Sequence, residues 1–136
     1  MKNLFLIITA FLFCSLSSIA LSETMEDLVK RDGLYYKKFT DTPFTGKVEG
    51  KKQGSFKNGK KHGKWIIYHE NGQLAKKFYL KNGKVEGEAI AYYDNGELWH
   101  KGQFKNSKKD GEWIIYHHNG QLMDKAHYKN GKSINK

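Results

Sequence analysis

The feature that most constrains this chain is a 24-residue internal repeat in which every unit carries two turns. Residues 53–76 and 101–124 are identical at 16 of 24 positions without a gap, and 77–100 keeps the same frame. Gly63, Gly87 and Gly111 recur at that interval, as do Gly72, Gly96 and Gly120, Tyr68, Tyr92 and Tyr116, and Leu74, Leu98 and Leu122. Phe56, Leu80, Phe104 and Tyr128 form a further series. A fixed period of this kind marks an array of supersecondary units. Asn-Gly stands at 58–59, 71–72, 82–83, 95–96, 119–120 and 130–131, and Asn106-Ser107 fills the one remaining slot. The pair is the preferred two-residue type I′ hairpin loop, because both central residues need φ > 0. The stretches between, such as Trp65-Ile66-Ile67-Tyr68, are β-branched and aromatic. The chain therefore reads as all-β, an antiparallel meander with Gly59, Gly72, Gly83, Gly96, Gly120 and Gly131 at its turns. A helical solenoid is excluded.

Two-residue loops set Ile67 opposite Lys76, Trp65 opposite Phe78 and Lys76 opposite Ala89. Period-2 alternation then puts Trp65, Ile67, Phe78 and Trp113 on one face. Ile66, Tyr68, Ile90, Tyr92, Trp99, Ile114 and Tyr116 fall on the other. No amphipathic segment is left over to cover either, so the expectation is an elongated, twisted single layer of about ten strands, on the order of 50 Å long. Gly63, Gly87 and Gly111 open the long strands, where glycine permits twist or an aromatic ring lying over bare backbone. Ala89 stands where the sister units have Trp65 and Trp113, which predicts a shallow depression.

Residues 34–52 read as a shortened first unit, followed by 53–76, 77–100, 101–124 and a half unit, 125–136. Residues 23–33 read as a short capping helix. Thr24 and Asp27 have capping-box spacing, Met25, Leu28 and Val29 share a stripe, and Gly33 is a stop. Residues 1–22 differ from the rest. Met1-Lys2-Asn3, an apolar run from Leu4 to Phe13, and Ala20-Leu21-Ser22 make a secretory signal peptide with Glu23 as the mature start. The run is shorter than the ~20 residues that span a bilayer. Cys14 is the chain's one cysteine and leaves with the leader, so no disulfide is expected.

The segments Gly-Lys-Trp-Ile-Ile-Tyr-His-Glu-Asn-Gly-Gln-Leu (63–74) and Gly-Glu-Trp-Ile-Ile-Tyr-His-His-Asn-Gly-Gln-Leu (111–122) closely resemble the bacterial MORN-repeat variant. Over residues 32–136 the chain is similar to exported members of the group labelled YwqK-family antitoxins. The resemblance implies a hairpin-repeat sheet, and its label implies neutralisation of a toxin by binding.

Chemistry narrows the function further. The six histidines do not cluster at ligand spacing, the mature chain has no cysteine and no nucleophile elbow, and Glu86 and Glu88 sit among lysines on an open strand. No enzyme, metal or cofactor is expected. The net charge is +10, with Lys51-Lys52, Lys60-Lys61, Lys76-Lys77 and Lys108-Lys109 lying among aromatic strands. Export makes nucleic acid a poor match for these lysines. Two readings stand. In one, a sheet face captures a protein partner, a toxin being the one the resemblance names, through Trp65, Tyr68, Ala89, Tyr92, Trp99, Trp113 and Tyr116. In the other, an envelope module attaches by its basic surface to anionic lipid or cell-wall polymer. The expected compartment is the periplasm, with the extracellular space second.

Overall fold

Each Asn-centred turn reverses the chain, and the strands between turns pair in sequence order. The computed structural model of the chain describes residues 22–134; the expected leader, apart from Ser22, lies outside the described residues. The strands are β1 (Glu23–Thr24), β2 (Leu28–Arg31), β3 (Leu34–Lys37), β4 (Gly46–Glu49), β5 (Lys52–Lys57), β6 (Lys60–Tyr68) and β7 (Leu74–Lys81). There follow β8 (Lys84–Val85), β9 (Gly87–Tyr92), β10 (Leu98–Lys105), β11 (Lys108–Tyr116), β12 (Leu122–Lys129) and β13 (Lys132–Ser133). Eleven of them form one open sheet in the order β1-β4-β5-β6-β7-β9-β10-β11-β12-β13, with β8 on β7, and β2–β3 form a second sheet of two strands. Apart from the parallel β1–β4 contact, every pairing in both sheets is antiparallel. The all-β meander expected from the repeat is the observed fold.

The turns are of two kinds, which the shared dipeptide conceals. At Asn58-Gly59, Asn82-Gly83, Asn106-Ser107 and Asn130-Gly131 both residues have positive φ, between +49° and +79°, as type I′ requires. At 71–72, 95–96 and 119–120 only the glycine does (+84° to +87°). There the Gly72 N–H donates to the His69 carbonyl (3.0 Å) and the His69 N–H to the Gln73 carbonyl (2.8 Å). This is a three-residue loop, a type I turn closed by a left-handed glycine. Its asparagine serves differently: Asn71 Oδ1 accepts the Gln73 N–H at 3.0 Å, and Asn95 and Asn119 do the same for Glu97 and Gln121. A register shift follows each such loop, so Tyr68 pairs with Leu74 but Ile67 with Lys76. Longer loop and bulge cancel, and Trp65 faces Phe78 as expected. Around Asn82-Gly83 nothing cancels: between the Leu80–Val85 pair and β9 the partner strand has two extra residues, so Lys76 pairs with Ala91 and not with the expected Ala89.

The capping helix does not form. Its capping box exists, with the Thr24 N–H donating to Asp27 Oδ2 at 2.7 Å, but it closes only a single 3₁₀ turn, Met25–Asp27. Beyond it, Asp32-Gly33 takes φ of +48° and +81°, the same conformation as the repeat's own two-residue loops. Asp-Gly is a hairpin signal as strong as Asn-Gly, and here it outweighs the helix-stop reading of Gly33. Leu28–Arg31 therefore pairs with Leu34–Lys37. This hairpin covers one face of the first units, where Leu28, Phe44, Val48, Phe56, Trp65 and Leu80 form the core with Met25 and Tyr35 packed against it. Tyr35 and Phe44 lie 4.9 and 5.6 Å from the Phe56 ring.

Candidate functional site

Trp65 and Trp113, expected as exposed anchors, are core residues at 0% and 2% exposure. A single layer can bury a tryptophan only if the ring lies flat on its own sheet, and the neighbouring strand supplies the room. Gly102 pairs directly with Trp113, Gly54 lies at a register shift beside Trp65, and a Cβ at Gly54 or Gly102 would come within 2.3 or 2.2 Å of indole carbons. The indole N–H donates to the Ser55 carbonyl (3.3 Å) or the Gln103 carbonyl (3.0 Å). Phe56 and Phe104 meet the rings edge-on, and Lys61 and Lys109 cover them at 4.4 and 4.5 Å from the ring centres. The rings expected over Gly63, Gly87 and Gly111 thus lie over Gly54 and Gly102 instead. Gly63, Gly87 and Gly111 take positive φ where the strands twist.

The central unit exchanges the bulk. Ala89 is buried at 8% exposure, and the strand beside it carries Phe78 where the flanking units have Gly54 and Gly102. A depression of about 210 Å³ remains there, lined among others by Phe78, Val85, Ala89, His100 and Phe104. His100 meets Trp99 edge-on (4.7 Å) and Trp113 at a tilt (5.6 Å), and its Nδ1 is buried without a hydrogen-bond partner among the described residues. Burial, reinforced by Lys109 and Lys76, holds this imidazole below the usual histidine range. Trp99, 39% exposed, meets Tyr93 and His100. A register shift between Leu98 and His100 parts it from the Tyr ladder it was expected to join. Tyr68, Tyr92 and Tyr116 are half-buried and share the opposite face with a row, Ile66–Lys77–Ile90–Lys101–Ile114–Lys125, in which each residue pairs with the next. The seven predicted site residues are therefore divided between a packed face and an open one.

The most regular surface is one that reading the lysines as adjacent pairs misses. Each type I′ loop of the repeat, unlike the Asp32-Gly33 loop between Arg31 and Leu34, is flanked by a lysine on both sides, and these lysines are direct cross-strand partners: Lys57 with Lys60, Lys81 with Lys84, Lys105 with Lys108 and Lys129 with Lys132. Backbone bonds stack the loops along one rim, with Gly83 N–H donating to the Lys61 carbonyl, Ser107 to Val85 and Gly131 to Lys109 (2.8–3.1 Å). Successive loops are two strands apart, about 10 Å. Of the eight lysines only Lys129 has a carboxylate within ion-pair distance among the described residues, Asp110 at 3.5 Å. On the opposite rim the first two three-residue loops carry Glu70 and Asp94, with Glu97 just beyond; Glu70 contacts Lys51, and Asp94 lies 3.5 Å from His118. Two carboxylates also reach the lysine rim, where Glu86 accepts the Asn106 N–H (2.9 Å) and Asp110 the Asn130 N–H (3.4 Å). The motif was legible as Lys-Asn-Gly-Lys at 57–60, 81–84 and 129–132 and Lys-Asn-Ser-Lys at 105–108.

The family model described as the MORN repeat variant matches residues 61–82, 85–106 and 109–130. The chain carries three consecutive MORN-variant repeats. Each match runs from just after one type I′ loop into the next, so the family's unit is the long hairpin around the three-residue loop. Its spacing is that of the internal repeat, and its phase lies eight residues beyond the 53–76 frame. No curated protein matches the chain. Among the described residues no group of three His, Cys, Asp or Glu side chains is placed to hold a metal ion.

Proposed function

We propose that this MORN-variant protein is a non-enzymatic attachment module that docks its lysine rim onto an anionic polymer or lipid surface, outside the cytoplasm. The supporting observation is the four stacked Lys–Lys pairs. Like charges placed directly opposite across a hairpin destabilise it by a few tenths of a kcal/mol each, and seven of these eight lysines lack a carboxylate partner among the described residues. A linear array of that kind gains most from a linear or planar anion, whose binding weakens steeply with salt. The test is sedimentation of the mature chain with anionic vesicles and with a polyanionic polymer across a salt series. Neutralising Lys81, Lys84, Lys105 and Lys108 to Gln should abolish sedimentation. The same number of changes at Lys64, Lys77, Lys101 and Lys125 should leave most of it, and equal loss in both variants would defeat the reading.

A second reading is favoured by the open face bearing Tyr68, Tyr92 and Tyr116 beside the Ile–Lys row. Apolar groups interleaved with lysine suit an acidic protein surface, and toxin neutralisation is the version that the antitoxin resemblance suggests. A salt-tolerant complex lost on Tyr92→Ala but retained in the rim variant would support it.

A further inference from the structure

The lysine rim begins beside a concavity that the repeat alone does not make. The β2–β3 hairpin closes over the first two type I′ loops, and between them lies a cleft of about 470 Å³, within the range of small-molecule sites. Its charged lining is Lys30, Lys60, Lys61 and Lys84, with Tyr35, Leu80 and Asn82 among the other residues, and no carboxylate lines it. Two of these cations meet at one ring: Lys30 Nζ lies 5.7 Å from the Tyr35 ring centre and Lys61 Nζ 5.8 Å from the same centre. Lys61 cannot swing away freely, because its stem is half-buried and its ammonium sits 4.4 Å over Trp65. Burial first, then Lys52 and Lys30, hold its ammonium below the usual lysine range. Among the described residues no carboxylate lies within ion-pair distance of any of the four.

From this juxtaposition we infer that the cleft between the N-terminal hairpin and the first two loops binds one oligophosphate group, with Lys30 and Lys61 on its inner side and Lys60 and Lys84 at its mouth. A compact anion with two or more phosphates relieves the repulsion between Lys30 and Lys61 and reaches the two further lysines, Lys60 and Lys84, that line the same cleft, which a single monovalent anion does only in part. The site is specific to this end of the sheet. Two repeats further along, the position of Leu80 holds Tyr128, whose ring already lies 4.8 Å from the ammonium of Lys109, the counterpart of Lys61. The inference shares Lys60 and Lys84 with the attachment rim but rests on Lys30 and Lys61, which the rim does not use.

Two sources could present such a group, a soluble anion or a lipid headgroup. The experiment titrates the mature chain with tripolyphosphate by calorimetry, and in parallel sediments it with phosphatidylcholine vesicles with and without a bisphosphorylated lipid. Tripolyphosphate should bind one per chain and raise the melting temperature. Affinity should fall at least tenfold in Lys30→Gln/Lys61→Met, whose methionine keeps the stem packed on Trp65. Lys30→Gln alone, on an exposed residue, should weaken binding with an unchanged melt of the free protein. Lys105→Gln/Lys108→Gln should leave this affinity intact while weakening polymer attachment, so the cleft and the rim fail independently. Vesicle binding that needs the bisphosphorylated lipid together with Lys30 and Lys61 assigns the group to a headgroup; binding of tripolyphosphate alone assigns it to a soluble anion. Several anions per chain, or equal sensitivity to the cleft and rim substitutions, would overturn the site.

Discussion

Gly102→Ala separates two forces that usually act together. Gly102 lies inside β10 and is not among the glycines with positive φ, so its backbone conformation is one alanine adopts freely. Where that holds, Gly→Ala stabilises a protein by ~0.4–1 kcal/mol, because the unfolded chain loses freedom. Here the new Cβ would stand 2.2 Å from Trp113 Cδ2 and 2.3 Å from Cε2. Ordinary contact begins near 3.4 Å, so ring and strand must part by about 1.2 Å. The indole has little room to move. Its N–H is bonded to the Gln103 carbonyl at 3.0 Å, Phe104 abuts it edge-on, and Lys109 covers it. Overpacking of this kind costs ~1–3 kcal/mol, and the buried indole hydrogen bond weakens as well. A net loss of ~2–3 kcal/mol is expected, roughly 10 °C in Tm for a domain of this size. Thermal melts followed by near-ultraviolet circular dichroism of the tryptophans measure it. In a Trp113→Ala background the same change should become neutral or stabilising, because the clash has gone and the entropic gain remains. An unchanged or higher Tm for Gly102→Ala in the wild-type background would refute the account of how a single layer buries its tryptophans.

Gly72→Val should destabilise by more than ~1 kcal/mol, since a β-branched residue resists a φ of +84°, and urea unfolding measures it. Stability should fall as pH drops below about 6.5: His100 stays neutral in the fold because of burial and the nearby Lys109 and Lys76, while the unfolded chain takes up the proton. His100→Phe should flatten that part of the Tm-against-pH curve. The carboxylates lie further down the scale. Asp27, held low by hydrogen bonds from Thr24, and Glu112, held low by Lys125, contribute stability above about pH 4 that is lost on further acidification. Lys105→Gln should raise stability slightly at low salt, by relieving one like-charge pair, while weakening polyanion attachment. N-terminal sequencing of the secreted or periplasmic protein should begin at Glu23.

Turns and periodicity made the sheet legible because each is a local property. Asn82-Gly83 needs φ > 0 at two residues whatever surrounds it, and the strand order follows once every loop is short. The three-residue loops were not separable from these by dipeptide, because the difference lies in the His69–Gln73 closing pair. The register of β6 on β7 survived only because the shift before Lys76 offsets the extra loop residue, whereas that of β7 on β9 moved by two, Lys76 pairing with Ala91. The burial of Trp65 and Trp113 was harder to read. Alternation gives the face but not whether a ring stands up or lies down, and the deciding residue is across the strand at Gly54 or Gly102. Its signal was present in the repeat itself, where Gly54 and Gly102 accompany the tryptophans and Phe78 accompanies Ala89. The N-terminal hairpin was misread for a different reason. Thr24 and Asp27 do form a capping box, but the helix it would start runs into Val29 and an Asp-Gly turn, and Leu28 and Tyr35 gain more by packing on the first units.

The lysine rim also bears on why the charges are where they are. Lysines on a β protein commonly guard edge strands, whose open N–H and C=O groups would otherwise recruit another chain. That account does not reach this rim. Lys81, Lys105 and Lys108 sit at the ends of interior strands and Lys84 on the short β8, whose Val85 N–H and carbonyl are taken up by Ser107, beside loops whose Gly83 and Ser107 N–H groups donate to the preceding unit. There is no open ladder there to guard. Nor do the lysines stabilise the loops, since each faces a like charge across its own hairpin. Solubility needs positive charge but not in cross-strand pairs, and the carboxylates that do reach this rim, Glu86 and Asp110, accept the Asn106 and Asn130 N–H groups. A rim whose repeat period becomes a charge period of about 10 Å is what a periodic anion would recognise, and it ends at a cleft lined by four lysines and no carboxylate.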